Sequence, residues 1–159
     1  MKPDLHPSIA AYVDAHHAEQ VAFLREIVRV PSDTPPGDNA PAAAKAAELL
    51  ERLGYTVERH PVPEAFLRDY GMKSVVNLIV RQRFGEGGPT IALNAHGDVV
   101  PPGEGWTKPP YEGVVEEGRM VARGVAVSKS DIASYKYALE ALKAAAREGA
   151  RFNGAVELH

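Results

Sequence analysis

Apolar residues recur at helical spacing in three stretches of the chain. From Pro7 to Val30, Ile9, Tyr12, Val13, Val21, Leu24 and Val28 form an apolar stripe that predicts one helix, with Pro7 in its first turn. Pro41 to Leu53 is alanine-rich and stops at Gly54, a helix with a glycine cap. Ser130 to Arg147 carries Ile132, Tyr135, Leu139 and Leu142 on one face and ends before Gly149. Between these lie stretches with strand-type patterns: Tyr55 to Val62, Ser74 to Phe84, Thr90 to Ala95, and Arg151 to His159. Glu112 to Arg123 reads as a hairpin turning at Glu117-Gly118, and Glu64 to Tyr70 as a short helical turn. Gly85 to Pro89 is a five-residue connection, which predicts an antiparallel pairing of its two flanking strands and hence a mixed sheet. Helices alternating with strands predict an α/β fold, layered α/β/α.

Proline and glycine mark the loops. Pro31 to Asp38 is one, and Ser32 and Thr34 are read there as turn residues and as a cap for the next helix rather than as substrate contacts. Val99 to Tyr111, with four prolines and two glycines in thirteen residues, is the other. A length of 159 residues fits one domain, with no internal repeat or boundary. The net charge of −3 argues against nucleic acid or an anionic membrane as partner. The absence of cysteine removes disulfides, thiolate ligands and a cysteine nucleophile. It also fits a reducing compartment, and the first fourteen residues hold no apolar core of a signal peptide, so a cytoplasmic location is expected. No apolar run approaches the ~20 residues of a membrane span.

The strand from Thr90 ends in His96-Gly97-Asp98. An imidazole with a carboxylate two residues on suits a metal site, the carboxylate fixing the ring. Sites in α/β sheets gather at the carboxyl ends of strands, where His96 falls. His-x-Asp is a weak pattern in a chain with six histidines, and a core histidine held by Asp98 explains it equally well. His16 and His17 lie mid-helix, His60 mid-strand and His6 near the terminus, all without a partner at ligand spacing, and read as structural. No Gly-x-Ser-x-Gly elbow, phosphate-binding loop or Gly-x-Gly-x-x-Gly is present.

The string Asn94 to Trp106, then Pro109-Pro110-Tyr111, then Glu117 to Lys129, resembles the zinc-dependent M20 metallopeptidases and amidohydrolases. That family includes aminoacylases, desuccinylases, deacetylases and carboxypeptidases, and the likeness runs at least from Val75 to Leu142. It implies a zinc-peptidase-like catalytic domain and hydrolysis of amide bonds in peptides or N-acyl amino acids. It also implies Zn2+ as cofactor, with Co2+ or Mn2+ as substitutes, and a small-molecule or peptide substrate. His96 matches the family's first metal ligand and Asp98 the carboxylate that orients it. Gly97, Trp106, Arg123 and Gly124 match positions that shape the site, and Lys129 the lysine of an Asp-x-Lys motif.

Two departures stand against this pattern. The metal-bridging aspartate of Asp-x-Lys aligns with Val127, which cannot coordinate a cation. Asp131 is the substitute candidate for a metal ligand, but Ser128-x-x-Asp131 also reads as a helix-capping pair. The family's Glu-Glu pair, its last ligands and its lid domain would all follow His159. Residues 1–159 are therefore expected to be the N-terminal part of one catalytic domain, inactive alone. Any homodimer would form through the absent lid, and Glu157 and His159 take no catalytic role. A non-catalytic binding module on the same fold is the alternative. Strand Phe152 to Leu158 is expected to be an exposed apolar edge, prone to aggregation or dimerisation.

Overall fold

The computed structural model describes residues 6–159, without the side chain of His6. The readings of His6 and of the extreme N-terminus lie outside the described residues. Helix α1 (His6–Ala15) is followed by α2 (His17–Val28), α3 (Ala40–Arg52), strand β1 (Val57–Pro61), α4 (Glu64–Asp69), β2 (Val76–Gly85) and β3 (Thr90–Leu93). Then come β4 (Val114–Glu116), β5 (Arg119–Val121), α5 (Lys129–Arg147) and β6 (Gly154–Leu158). The single helix expected from Pro7 to Val30 is thus two helices. At His16 the backbone turns out of helical geometry (φ −106°, ψ 14°). Its ring stacks on Tyr12 at 3.9 Å, and Nδ1–H donates to Tyr12 O at 2.8 Å. The break lets α1 and α2 both lie against α5.

Helices α3 and α5 end where their glycines dictate. Gly54 (φ 83°) and Gly149 (φ 101°) are left-handed. The amides of Gly54 and Tyr55 return to Glu51 O and Leu50 O, and those of Gly149 and Ala150 to Ala146 O and Ala145 O. Each is a Schellman closure, which satisfies the last carbonyls of the helix. The hairpin β4–β5 turns at Glu117 (φ 50°) and Gly118 (φ 74°), two left-handed residues as a type I′ turn requires.

The main sheet has the order β1-β2-β6-β3. β1 with β2 and β2 with β6 are antiparallel, and β3 with β6 is parallel, so the sheet is mixed. The hairpin expected across Gly85 to Pro89 does not form, because β6 lies between β2 and β3. Two strands flanking a third are ~10 Å apart, and five residues span that distance with length to spare. For the same reason β6 is not the exposed edge. Val156 is buried, and the free edges are β1 and β3, where Ile91 is the exposed apolar residue.

Strand pairing sorts the side chains. Val57, Leu78, Val80, Leu93, Val156 and Leu158 share the face that meets Phe23, Ile27, Ala47, Leu50, Ala133, Tyr137 and Leu139. The opposite face carries an exposed ion network in which Arg81 binds Glu58 and Glu157, His60 binds Glu58 and His159 binds Glu157. Among the described residues the packed helical layer thus covers one face of the sheet. No helix among the described residues is long and apolar enough to cross a membrane.

Candidate metal-binding cleft

β3 and β6 run parallel and finish together. The ladder continues past β3 through His159 N–H to Leu93 O and Ala95 N–H to His159 O, both 2.9 Å. His96 is the first residue beyond it, at the carboxyl end of the strand. Its Nδ1 lies 3.1 Å from Asp98 Oδ1 and 3.1 Å from the Asp98 carbonyl oxygen. With Nδ1–H donating to these oxygens, Nε2 keeps its lone pair, and no partner for it is found among the described residues. The His96 ring is about half exposed (54%). A core histidine would be buried with both nitrogens engaged, so the structure favours an open imidazole over a packed one.

Two cavities meet at this pair. One, of about 350 Å³, is lined by His96, Asp98, Val100, Arg123, Gly124 and Val127 among others. The other, of about 660 Å³, adds Asn39, Asn94, Lys129 and His159 to His96 and Asp98. Val127 is 65% exposed on the wall of the smaller cleft. A side chain that cannot hold a metal thus stands within the same cleft as the imidazole. Asp131 is placed elsewhere, at the start of α5, where its carboxylate accepts from Ser128 Oγ at 2.6 Å, and it lines neither cavity. The expected capping pair takes this side-chain form, with no bond from Ser128 Oγ to a helix amide. Glu157 is engaged by both Arg81 and His159.

The loop around His96 is braced by residues whose role was not legible in the sequence. Ser32 is buried and its Oγ donates to Gly97 O at 2.7 Å. Val99 N–H donates to Ser32 O at 3.0 Å and Thr34 N–H to Val99 O at 2.8 Å. Tyr111 OH donates to the Asp33 carboxylate, which raises the Tyr111 pKa on top of its burial. Ser32 and Thr34 are therefore neither helix caps nor, by these bonds, substrate contacts. They hold the Pro31–Asp38 loop to the Gly97–Val99 segment. Nothing local marks them, since the partners lie some 65 residues apart. Ser32→Ala would remove this bond to the exposed Gly97 and is expected to cost about 0.5–1.5 kcal/mol in urea unfolding.

Arg123 and Trp106 shape the outer wall. The guanidinium sits 5.3 Å from the Trp106 ring centroid and donates to Pro102 O at 3.1 Å, while Trp106 Nε1–H donates to Pro102 O at 2.8 Å. Gly124 is required at its position, because it is left-handed (φ 85°) and an added Cβ would stand 2.8 Å from Val99 Cγ1. Gly97 has open space around it.

Lys129 is fully buried and donates from Nζ to Val30 O at 2.9 Å and Ile27 O at 3.4 Å. Burial pushes its ammonium pKa down to about 8, against the opposing pull of Asp33 and Asp98. An unfolded lysine titrates near ~10.4. Between the two values the unfolded chain holds the extra proton, so stability is expected to rise from about pH 8 towards pH 10. The hydroxyls of buried Tyr55 and Tyr137 and half-buried Tyr111 are raised in the folded chain and reverse the slope above that. Urea midpoints across this range check the sign, and Lys129→Met should reduce the rise to the part that Lys136, also lowered by burial, contributes.

Zinc sites need three or four protein donors. Among the described residues no group of three or more His, Cys, Asp or Glu is placed to hold a metal. The donor set fits one arm of such a site, an imidazole with its orienting carboxylate.

The fold defines an α/β protein with a mixed sheet, whose strand β3 leads into an oriented, half-exposed imidazole. The profile of Peptidase family M20/M25/M40 matches residues 92–158. Succinyl-diaminopimelate desuccinylases are similar to the chain, at 37% identity in Acidiphilium cryptum over 78% of the chain and 38% in Methylobacterium sp. (strain 4-46) over 86%. These matches span 30% and 32% of the relatives' own lengths. In fold, the chain is similar to human carnosine dipeptidase 1 (TM-score 0.71, 22% identity, 96% of this chain and 33% of that one). It is equally similar to the di-peptidase Dug1p of Saccharomyces cerevisiae (TM-score 0.72, 20% identity, 99% and 34%). Residues 92–158 thus match the M20 family, and the chain spans about a third of the length of these proteins.

Proposed function

We propose that residues 1–159 are the N-terminal part of an M20-type catalytic domain and supply the histidine arm of its metal site. The activity proposed for the whole protein is hydrolysis of an amide bond in an N-acyl amino acid or small peptide, in the cytoplasm. The observation that carries this reading is His96, its Nδ1 held by Asp98 and its Nε2 left open at the carboxyl end of β3. The parallel end of β6 supports it, since residues following that strand would emerge beside His96. Bound there, a divalent cation such as Zn2+ would supply Lewis acidity to an amide carbonyl and acidify water. Asp98 keeps the imidazole in one tautomer and one orientation, and the Ser32–Thr34 brace keeps the loop in place. The family's glutamate base, its remaining ligands and the lid through which a homodimer would form are not among these residues.

Val127 favours a second reading, a non-catalytic module on the same fold. An exposed valine in the cleft leaves the site without a bridging carboxylate, and Asp131 as a ligand would need to leave its bond with Ser128. Assay of the whole protein against N-succinyl and N-acetyl amino acids and dipeptides, with Zn2+, Co2+ or Mn2+, separates the two. Metal-dependent hydrolysis lost in His96→Ala supports the first, and no hydrolysis of any of them the second.

A further inference from the structure

Lysine is almost never fully buried unless its charge is paired. Lys129 has no exposed surface, and no carboxylate lies within ion-pair distance of it among the described residues. Its charge is met instead by two carbonyl oxygens, of Ile27 and Val30. Ile27 belongs to the last turn of α2, its carbonyl also accepting from Val30 N–H at 3.3 Å, and Val30 lies just past it, where the helix dipole is negative. Val30 leads within two residues into Ser32, which holds Gly97 and Val99. The lysine stem also supports the far wall, for a Cβ on Gly124 would stand 3.2 Å from Lys129 Cδ and 2.8 Å from Val99 Cγ1. From the start of α5, this side chain thus meets the end of α2 and the Gly124 wall, and Val30 joins it through the chain to the Ser32–Val99 brace.

We propose that Lys129 is a positioning residue of the His96 site, its buried ammonium tying the first turn of α5 to the end of α2 and so fixing where the His96–Val99 loop stands. The side chain reaches neither His96 nor Asp98 by hydrogen bond, so it acts through the brace. The proposal rests on the reading of His96 as the functional residue, but its test does not use metal or activity.

The test is amide hydrogen exchange by NMR on the 159-residue chain over a range of low urea concentrations. In the unsubstituted chain, Thr34, Val99 and Ile132 amides should open together, with one free energy and one urea slope, separately from the β2–β6 ladder. Thr34 and Val99 opening independently of Ile132 would overturn the proposal. In Lys129→Met, which keeps most of the side-chain volume, protection at Thr34 and Val99 should fall at least tenfold more than in the ladder. The His96 imidazole nitrogen signals should move while those of His16 stay. Leu139→Ala, a buried change elsewhere on α5, should lower protection evenly and leave the His96 signals in place. Even loss of protection in Lys129→Met, or unchanged His96 signals, would contradict the tie. If Lys129→Met does not fold, the urea series on the unsubstituted chain decides. Coupled opening in the chain, together with a whole protein that binds no Zn2+ at His96, would sink the metal reading and leave the tie standing.

Discussion

Gly154→Ala is expected to destabilise the chain by roughly 2–5 kcal/mol. Two costs add. Gly154 is left-handed (φ 92°), which costs a residue with a Cβ about 1–2 kcal/mol. The added Cβ would also stand 2.1 Å from Pro89 O, a backbone atom that cannot swing aside, and overpacking of this kind costs about 1–3 kcal/mol. The close approach is where β6 enters between β2 and β3, and Ala155 N–H donates to Pro89 O there at 3.1 Å. Gly87→Ala is the control. It is also left-handed (φ 65°) but has nothing within 4 Å of the added Cβ, so only the conformational cost applies. Urea unfolding of the two variants measures the difference. Equal losses would mean that β6 is not seated against Pro89.

Asp98→Ala is expected to weaken Zn2+ binding by about 10–100-fold, and His96→Ala to remove binding at this arm altogether. The asymmetry follows from geometry. Asp98 holds Nδ1 and does not present a free nitrogen of its own, so its loss lets the ring rotate and choose the other tautomer. His96 presents the donor itself. Neither variant should cost much stability, because both side chains are about half exposed (54% and 43%). Calorimetric Zn2+ titration of the whole protein beside urea unfolding reads both effects. Loss of binding together with loss of fold would count against a local role.

Local structure was legible in the sequence apart from the break at His16, and long-range placement was not. The helices around Ala46 and Leu139 and the glycine closures at Gly54 and Gly149 rest on spacing within one turn or a few residues, and they occur as expected. The β4–β5 turn rests on Glu117-Gly118 and is likewise local. The insertion of β6 between β2 and β3 depends on Ile91 meeting Val156, 65 positions later, and no local pattern encodes it. A five-residue connection is compatible both with a hairpin and with a step over an intervening strand, so its length could not decide. The His96–Asp98 pair could be read from a two-residue spacing and a strand end. The brace at Ser32, the Asp33–Tyr111 bond and the burial of Lys129 could not, since each joins segments that the fold alone brings together. Lys129 was visible only as part of a motif, and its burial gives that motif a physical reason.

The central claim, that His96 is a metal-binding arm set by Asp98, is tested most directly by Zn2+ titration of the whole protein, followed through the nitrogen signals of the six imidazoles of residues 1–159. The expected result is a saturable shift of His96 Nε2, with Nδ1 remaining protonated and bound to Asp98, while His16, His17 and His60 stay in place. A His96 signal that does not move, or that moves only in step with the other histidines, would contradict the claim.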